Sequence, residues 1–126
     1  MATSNIKSMK LYTYVERISN ELAELGIDAD APLHVDTLST LDQLHYHGTT
    51  ALDYALQRLA AGQGQHWLEV GSGIGGPARY LVHRGGVQVT AIELQRDQHE
   101  LAARLTRRCG LGPLVEHVCA DFLDFD

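Results

Sequence analysis

The sequence predicts an α/β fold in which a parallel sheet carries flanking helices. Short apolar or β-branched runs at residues 66–70, 87–93 and 115–120 are typical of strands. Helical patterns over residues 77–84 and 95–109 separate these runs, so strand and helix alternate along the chain. Right-handed crossovers between parallel strands then place the second strand beside the first and the third strand beyond it.

Two further helices are predicted before the first strand. Apolar residues recur every three or four positions over residues 4–25, and Gly26 is expected to end this amphipathic helix. Gly48 and Thr49 are expected to provide the N-cap of a helix over about residues 50–61. The residues expected to face the core are Leu11, Tyr14, Val15, Ile18, Leu22 and Leu25 in the first helix and Leu52, Ala55, Leu56 and Leu59 in the second.

A polar connection at residues 28–32 separates the first helix from the rest of the chain. We therefore expect residues 1–48 to form an N-terminal helical or lid segment. Residues 49–126 are expected to form the domain that contains the sheet. The length of 126 residues is that of one domain and is large enough for a hydrophobic core.

Composition and charge argue against several classes of protein. Ten basic and sixteen acidic residues give a net charge of −6, which does not suit a nucleic-acid binding surface. No apolar run approaches the roughly 20 residues that span a bilayer, and the N-terminus lacks a signal-peptide pattern. Cys109 and Cys119 have no metal-type spacing, so we expect reduced thiols and a cytoplasmic protein.

A glycine-rich turn directly after the first strand is the strongest indication of a binding site. Its glycines stand at positions 71, 73, 75 and 76, and Pro77 follows where a helix would begin. Glycine permits positive φ angles and lets backbone N–H groups approach a ligand closely. A strand, a glycine turn and a helix N-terminus together predict a site for a nucleotide-like ligand.

Acidic residues are predicted to surround this turn. Glu93 closes the second strand, at about the distance in sequence from the glycines at which an acid meets a ribose in dinucleotide folds. Glu69 closes the first strand and Asp121 follows the third. Because the carboxyl ends of parallel strands lie at one edge of a sheet, we expect the three carboxylates to converge around one crevice.

The polar and aromatic stretch at residues 38–48 has two alternative interpretations. On a strand, His45 and His47 would share a face, but no third ligand accompanies them, and we expect no metal site. A role in shape and hydrogen bonding over the mouth of the site is one alternative. A structural role for the tyrosine and histidine side chains is the other.

The glycine turn and the strand ends resemble those of the class I S-adenosylmethionine-dependent methyltransferases. The matching features are the acid at Glu69 before the glycines, the acid that closes the second strand, and residues 120–122 after the third. Residues 70–81 look like the small-molecule branch, which includes sarcosine/dimethylglycine, tocopherol and sterol methyltransferases, and residues 42–48 are similar to a segment of such enzymes. The resemblance covers about residues 40–125 and is specific for the cofactor, not for the methyl acceptor.

This resemblance implies a Rossmann-like sheet and S-adenosylmethionine as the cofactor. Glu69, with Gly71 and Gly73, would line the methionine part, where its carboxylate favours the ligand's ammonium group. Tyr46 and His47 would close over that end. An electronegative site with aromatic side chains suits a sulfonium cation.

For the adenosine part, the resemblance implies a second set of residues. Glu93 would bind the ribose hydroxyl groups, and Leu94 would pack on the adenine. Asp121 would accept a hydrogen bond from the adenine amino group, with Phe122 beside it. Gly75 completes the glycine motif. Catalysis of methyl transfer would come largely from positioning, and no catalytic residue is named.

The resemblance implies an enzyme that methylates a small molecule. Residues 1–126 would be the N-terminal, cofactor-binding part of that enzyme and would contain the first three strands of its fold. A non-catalytic cofactor-binding or interaction module is the alternative. A nicotinamide-dependent oxidoreductase is disfavoured by Glu69 and by Asp121 with Phe122. An unpaired edge on the first strand also predicts that residues 1–126 self-associate, are only marginally stable, or occur as part of a longer chain.

Overall fold

The computed structural model describes residues 16–125, in which strands and helices alternate as expected for an α/β fold. The helices are α1 (Arg17–Glu24), α2 (Val35–Leu38), α3 (Gly48–Arg58), α4 (Gly76–Gly85) and α5 (Arg96–Arg108), and the strands are β1 (His66–Val70), β2 (Gln88–Glu93) and β3 (Val115–Cys119). A short 3₁₀ turn, Phe122–Asp124, follows β3. No helix in this part of the chain is long and apolar enough to cross a membrane.

The described strands form one parallel sheet in the order β1-β2-β3, which confirms the predicted topology. Val70 at the end of β1 lies opposite Ile92, and Glu93 at the end of β2 lies opposite Cys119. The carboxyl ends of the three strands are therefore at one edge of the sheet. The glycine-rich turn after β1 begins at the same edge.

Two hydrophobic clusters hold the helices in place. One packs α4 against the sheet through Ala78, Leu81, Val82, Val89, Ala91 and Val115. The other joins α1, α2 and α5 through Ile18, Leu22, Leu38, Leu101 and Leu105. Helices α1 and α2, which precede residue 48, therefore share a core with the helix that follows β2.

The first predicted helix is only partly within the described residues. Helix α1 covers Arg17–Glu24, and residues 4–15 of the prediction, with Leu11, Tyr14 and Val15, lie outside the described part. Gly26 has the positive φ of +76° expected of a residue that ends a helix. The prediction that Leu25 is buried is wrong: its side chain is 59% exposed because Leu25 lies beyond the last helical turn.

The start and end of α3 also differ from the prediction. The N-cap is His47 and not Gly48 or Thr49, because His47 and Gly48 both take positive φ angles, +65° and +50°, and turn the chain into the helix before Thr49 is reached. The helix ends at Arg58, before a positive φ of +49° at Ala60. Leu59, predicted to be buried, is 61% exposed for that reason.

The predicted buried face of α3 is otherwise half-buried, and no residue of this helix is fully buried. Leu52 and Leu56 pack against the cluster between α4 and the sheet. Helix α3 therefore covers the edge of that cluster and leaves its opposite side exposed to solvent.

Arg79 of α4 is a fully buried charged residue, with a side chain 0% exposed. Its Nη2 donates to Asp42 Oδ2 at 3.1 Å and to the carbonyl oxygen of Ile74 at 2.7 Å. Its Nη1 donates to the carbonyl oxygen of Ala102 and to Thr106 Oγ1, both at 3.2 Å. One guanidinium thus joins the chain before α3, the glycine turn and α5.

The same network reaches β3. Because Thr106 Oγ1 accepts from Arg79, its hydroxyl proton is available for His117 Nε2, which lies 2.7 Å away. Burial and, to a lesser extent, the nearby Arg79 guanidinium lower the pKa of His117 to about 4. The ring is therefore neutral at physiological pH and can accept this proton.

We predict that Arg79→Met strongly destabilises the fold, because the substitution leaves the Asp42 carboxylate buried without its cation. Removing one partner of a buried ion pair lowers the free energy of unfolding by about 3–5 kcal/mol. Urea unfolding measures this change.

The matched control is Arg84→Met on the same helix. Arg84 is about half exposed and pairs with the exposed Asp36 at 3.2 Å, so its loss should cost at most about 1 kcal/mol. Equal effects of the two substitutions would show that the Arg79 pair does not stabilise the fold.

Candidate functional site

A pocket of about 320 Å³ opens where the glycine-rich turn meets the carboxyl ends of β1 and β2. It combines backbone from the turn, three carboxylates, of which Asp42 is paired with Arg79, and a rim from the segment before α3. Its lining residues are Asp42, Leu44, His45, Ala51, Leu52, Glu69, Gly71, Ser72, Gly73, Ile74, Pro77, Glu93 and Gln98. We refer to this pocket as the candidate site.

The glycine turn, residues 71–75, has a conformation that requires glycine. Gly71, Gly73 and Gly75 have φ angles of +74°, +56° and +84°. The N–H groups of Gly71 and Ser72 both donate to the carbonyl oxygen of Ile92, at 2.9 and 3.0 Å. These two bonds fix the start of the turn against the end of β2.

Glu93 connects this turn to the start of α5. Its Oε1 accepts a hydrogen bond from the N–H of Gly73 at 2.9 Å, and its Oε2 accepts from the N–H of Gln95 at 2.7 Å. A carboxylate has about four lone-pair sites, so each oxygen retains capacity for a further donor. Glu93 is therefore held rigidly at the pocket with capacity for two hydroxyl groups.

Glu69 presents a carboxylate oxygen that has no hydrogen-bond partner. Its Oε2 is buried and accepts no hydrogen bond within the described structure. Burial raises the pKa of Glu69 to about 7; Arg79 opposes the rise and Glu93 adds to it. An unsatisfied buried acceptor that is half-ionised near neutral pH favours a ligand that brings a donor or a positive charge.

The structure brings Glu69 and Glu93 together at the pocket, but Asp121 does not line it. Asp121 follows β3 and its Oδ1 accepts from the N–H of Leu123, which caps the 3₁₀ turn. Leu94 and Phe122 lie near the same edge, 44% and 46% exposed, and also stand outside the pocket lining.

Three other predicted residues lie near the site without lining it. Gly75 belongs to the turn, and a Cβ there would come within 2.7 Å of Arg79 Nη1, so its lack of a side chain admits the guanidinium. Tyr46 is 92% exposed and its ring points away from the core. His47 is the N-cap of α3, in a left-handed conformation.

Residues around His45 and His47 do not form a strand, so the two rings do not share a strand face. Within residues 16–125, no three histidine, cysteine, aspartate or glutamate side chains are grouped to hold a metal ion.

Several pocket residues were not predicted from the sequence. Asp42 and Gln98 are each 3% exposed, and His45 forms part of the rim. Ser72 lies between the predicted glycines, and its hydroxyl is buried without a partner in the described structure. Ser72 had a local signal, its place inside the glycine motif. Asp42 and His45 lie in residues 38–48, for which a role over the mouth of the site was one of the two expectations. Gln98 had no local signal and reaches the pocket through tertiary contacts.

A larger cavity of about 460 Å³ lies between α1 and α5. Its floor is apolar, with Leu22 and Leu105, and arginines of α5 line its wall. It contacts neither the glycine turn nor the strand ends. The smaller pocket is therefore the candidate site, because it alone of these two joins the backbone of the glycine turn with carboxylates.

Comparison with known proteins gives relatives that are methyltransferases. The chain is 36% identical over 63 residues to a sarcosine/dimethylglycine N-methyltransferase of Halorhodospira halochloris, covering 50% of this chain and 23% of the relative. It is 32% identical over 90 residues to 24-methylenesterol C-methyltransferase 3 of Arabidopsis thaliana, covering 71% and 24%. The chain thus spans about a quarter of the length of these curated relatives.

Solved structures share the fold. A geranyl diphosphate methyltransferase, solved in complex with GPP and sinefungin, superimposes with a TM-score of 0.58 at 26% identity, covering 67% of this chain and 31% of that chain.

The model of one protein family, described as mycolic acid cyclopropane synthetase, matches residues 33–126. This match and the methyltransferase relatives confirm the resemblance to small-molecule class I S-adenosylmethionine-dependent methyltransferases. Because the matched residues make up well over half of the chain, the protein belongs to the mycolic acid cyclopropane synthetase family.

Proposed function

We propose that this chain is the cofactor-binding part of an S-adenosylmethionine-dependent methyltransferase that acts on a small molecule. The observation that carries the proposal is the placement of Glu69 and Glu93 in one pocket with the backbone of the glycine turn. Two carboxylates beside a glycine turn suit a cationic, unphosphorylated nucleoside better than they suit the pyrophosphate of a dinucleotide.

Each end of the cofactor has a set of proposed partners. Glu93 receives the two ribose hydroxyl groups, because backbone N–H groups fix both of its oxygens and each oxygen retains capacity for a further donor. The unpartnered oxygen of Glu69 receives the ammonium group of the methionine part. The turn at Gly71 and Gly73 allows close approach of the ligand to the backbone.

The residues outside the pocket lining have proposed roles at its two ends. Leu94 and Phe122 offer half-exposed apolar surface for the adenine, with Asp121 as the acceptor for the adenine amino group. Tyr46 and His47 close over the methionine end of the cofactor. Because the Tyr46 side chain is exposed, its ring must move to reach that position. We propose a methyl transfer that is catalysed mainly by positioning, since displacement at a sulfonium carbon needs no further activation.

We propose that the methyl acceptor is a small molecule. The relatives are named after small molecules: sarcosine/dimethylglycine, 24-methylenesterol and geranyl diphosphate. We propose no nucleic-acid partner, because the net charge is −6. The free thiols of Cys109 and Cys119 suit a reducing, cytoplasmic environment.

We also propose that the chain associates with itself through β1. Among the described strands, β1 pairs only with β2, which leaves its other edge free for a second chain. Leu68 and Val70 on this strand are 51% and 52% exposed, so apolar surface accompanies the free edge.

The first test compares two ligands and one variant. We expect calorimetric titration to show tighter binding of S-adenosylhomocysteine than of NAD. Glu93→Ala should weaken S-adenosylhomocysteine binding roughly tenfold to a hundredfold, because hydrogen bonds to a charged group contribute about 1.5–3 kcal/mol.

Glu116→Ala is the matched control, since Glu116 is an exposed acid on β3 that lies outside the pocket. It should bind S-adenosylhomocysteine like the parent. Tighter binding of NAD by the parent would contradict the proposed cofactor, and an unchanged affinity in a folded Glu93→Ala would contradict the role of Glu93.

The second test concerns pH. Because the pKa of Glu69 is raised to about 7 in the free chain, the carboxylate that would face the ammonium group is lost as pH falls below 7. The affinity for S-adenosylhomocysteine should therefore fall by up to about tenfold per pH unit below 7 in the parent. Glu69→Gln should lack this part of the pH dependence, and identical profiles for parent and variant would refute the assignment.

The raised pKa of Glu69 affects folding stability in the opposite direction: ligand affinity increases as pH rises, whereas stability decreases. The folded chain holds the Glu69 proton up to about pH 7, whereas the unfolded chain releases it near the ordinary value of 4.5. Between these values the folded state binds more protons, so this group's contribution to stability decreases as pH rises from 4.5 to 7.

A further inference from the structure

The larger cavity, of about 460 Å³, has an apolar floor between α1 and α5. Leu22, Leu101 and Leu105 line it and belong to the core cluster that joins these helices. Ile27 is partly buried against the same cluster and extends the floor toward the connection after α1. A cavity of this volume with an apolar floor and a few polar groups is typical of a site for a small molecule.

Arg108 presents to this cavity a guanidinium that is fixed in place but not neutralised. Its Nε donates to the carbonyl oxygen of Ala31 at 2.9 Å, and its Nη2 donates to the carbonyl oxygen of Asp28 at 2.7 Å. Both acceptors are uncharged backbone groups. The third nitrogen, Nη1, makes no hydrogen bond within the described residues, so its N–H groups are available to a ligand.

Arg104 and Arg107 add two further positive charges to the wall of the cavity. Both side chains are exposed, and within residues 16–125 neither makes an ion pair or a hydrogen bond. Residues three and four positions apart on a helix are neighbours, so Arg104 lies beside both Arg107 and Arg108. Asp30 is the one acid among the described lining residues. In a chain with a net charge of −6, this local excess of positive charge suits an anionic ligand.

We propose that this cavity is a second binding site, which takes an organic anion composed of a carboxylate and an apolar, ring-sized body. The guanidinium groups receive the carboxylate, because their forked N–H groups match its two oxygens. The apolar body covers the leucine floor, and the planar guanidinium groups stack on a ring face. An inorganic anion would leave the floor in contact with water, and a neutral molecule would leave the arginines without a partner. The inference does not rest on the proposed function, because the two pockets share no described lining residue.

The test uses 2-naphthoate as the probe, with 2-naphthol as its neutral analogue and acetate as a carboxylate without an apolar body. Calorimetric titration of the full chain near neutral pH should show that 2-naphthoate binds roughly fivefold to tenfold tighter than either comparison ligand. In methyl NMR spectra, the probe should shift the signals of Leu101 and Leu105 more than that of Val89 in the sheet. Saturating S-adenosylhomocysteine should leave the affinity for 2-naphthoate unchanged, because the two sites are separate.

The combined substitution Arg104→Gln and Arg107→Gln should weaken 2-naphthoate binding by roughly threefold to tenfold and leave 2-naphthol binding unchanged. Both side chains are exposed and unpaired within the described residues, so the fold should tolerate their loss. Arg96→Gln is the matched control, since Arg96 is an exposed arginine of α5 outside the cavity, and it should bind the probe like the parent.

Four results would overturn the inference. They are the absence of 2-naphthoate binding, equal affinities for 2-naphthoate and 2-naphthol, and an equal loss of affinity in the double variant and in Arg96→Gln. The fourth is displacement of the probe by S-adenosylhomocysteine, which would place the probe in the candidate site. Failure of S-adenosylhomocysteine to bind would contradict the proposed function alone, because the titration with 2-naphthoate is independent of it.

Discussion

The buried ion pair of Arg79 with Asp42 is the interaction on which the rest of this structure depends. A guanidinium that is 0% exposed has lost its hydration. The hydrogen bonds of its two terminal nitrogens offset that loss, while its Nε has no hydrogen-bond partner in the described structure. Burial raises the pKa of Asp42, and the adjacent guanidinium opposes the rise, so each partner keeps the other charged. Because the remaining acceptors come from the glycine turn and from α5, satisfying this one charge fixes the relative positions of three segments.

The candidate site is a consequence of that arrangement. The carbonyl of Ile74, inside the site, is held by Arg79 at 2.7 Å, and the start of the glycine turn is held by the end of β2. The turn is thereby pinned at both ends, with Glu93 bridging its middle to α5. The same pair places the segment with His45 along the rim. A pocket whose backbone and carboxylates are already fixed in place binds a ligand without the entropic cost of ordering its own loops.

The sequence predicted those features that depend on local pattern and on sheet topology. The three strands follow from short apolar runs, and the position of Glu93 beside the turn follows from the rule that parallel strands end at one edge. The buried pairing of Asp42 did not follow, because Asp42 meets Arg79 across 37 residues and no local pattern marks the two as partners. The start of α3 was missed because His47 takes a left-handed conformation that is rare for a residue with a side chain.

Native-state hydrogen exchange of the parent and of Arg79→Met tests most directly whether one charge holds the site together. The amides to follow are Asp42, which bonds to Leu38, and Gly75, which bonds to Ser72, with Val89 of the sheet as the internal reference. We predict that Asp42 and Gly75 lose protection together in the variant while Val89 loses less. Unchanged protection of both amides, or a loss at only one of them, would contradict the account.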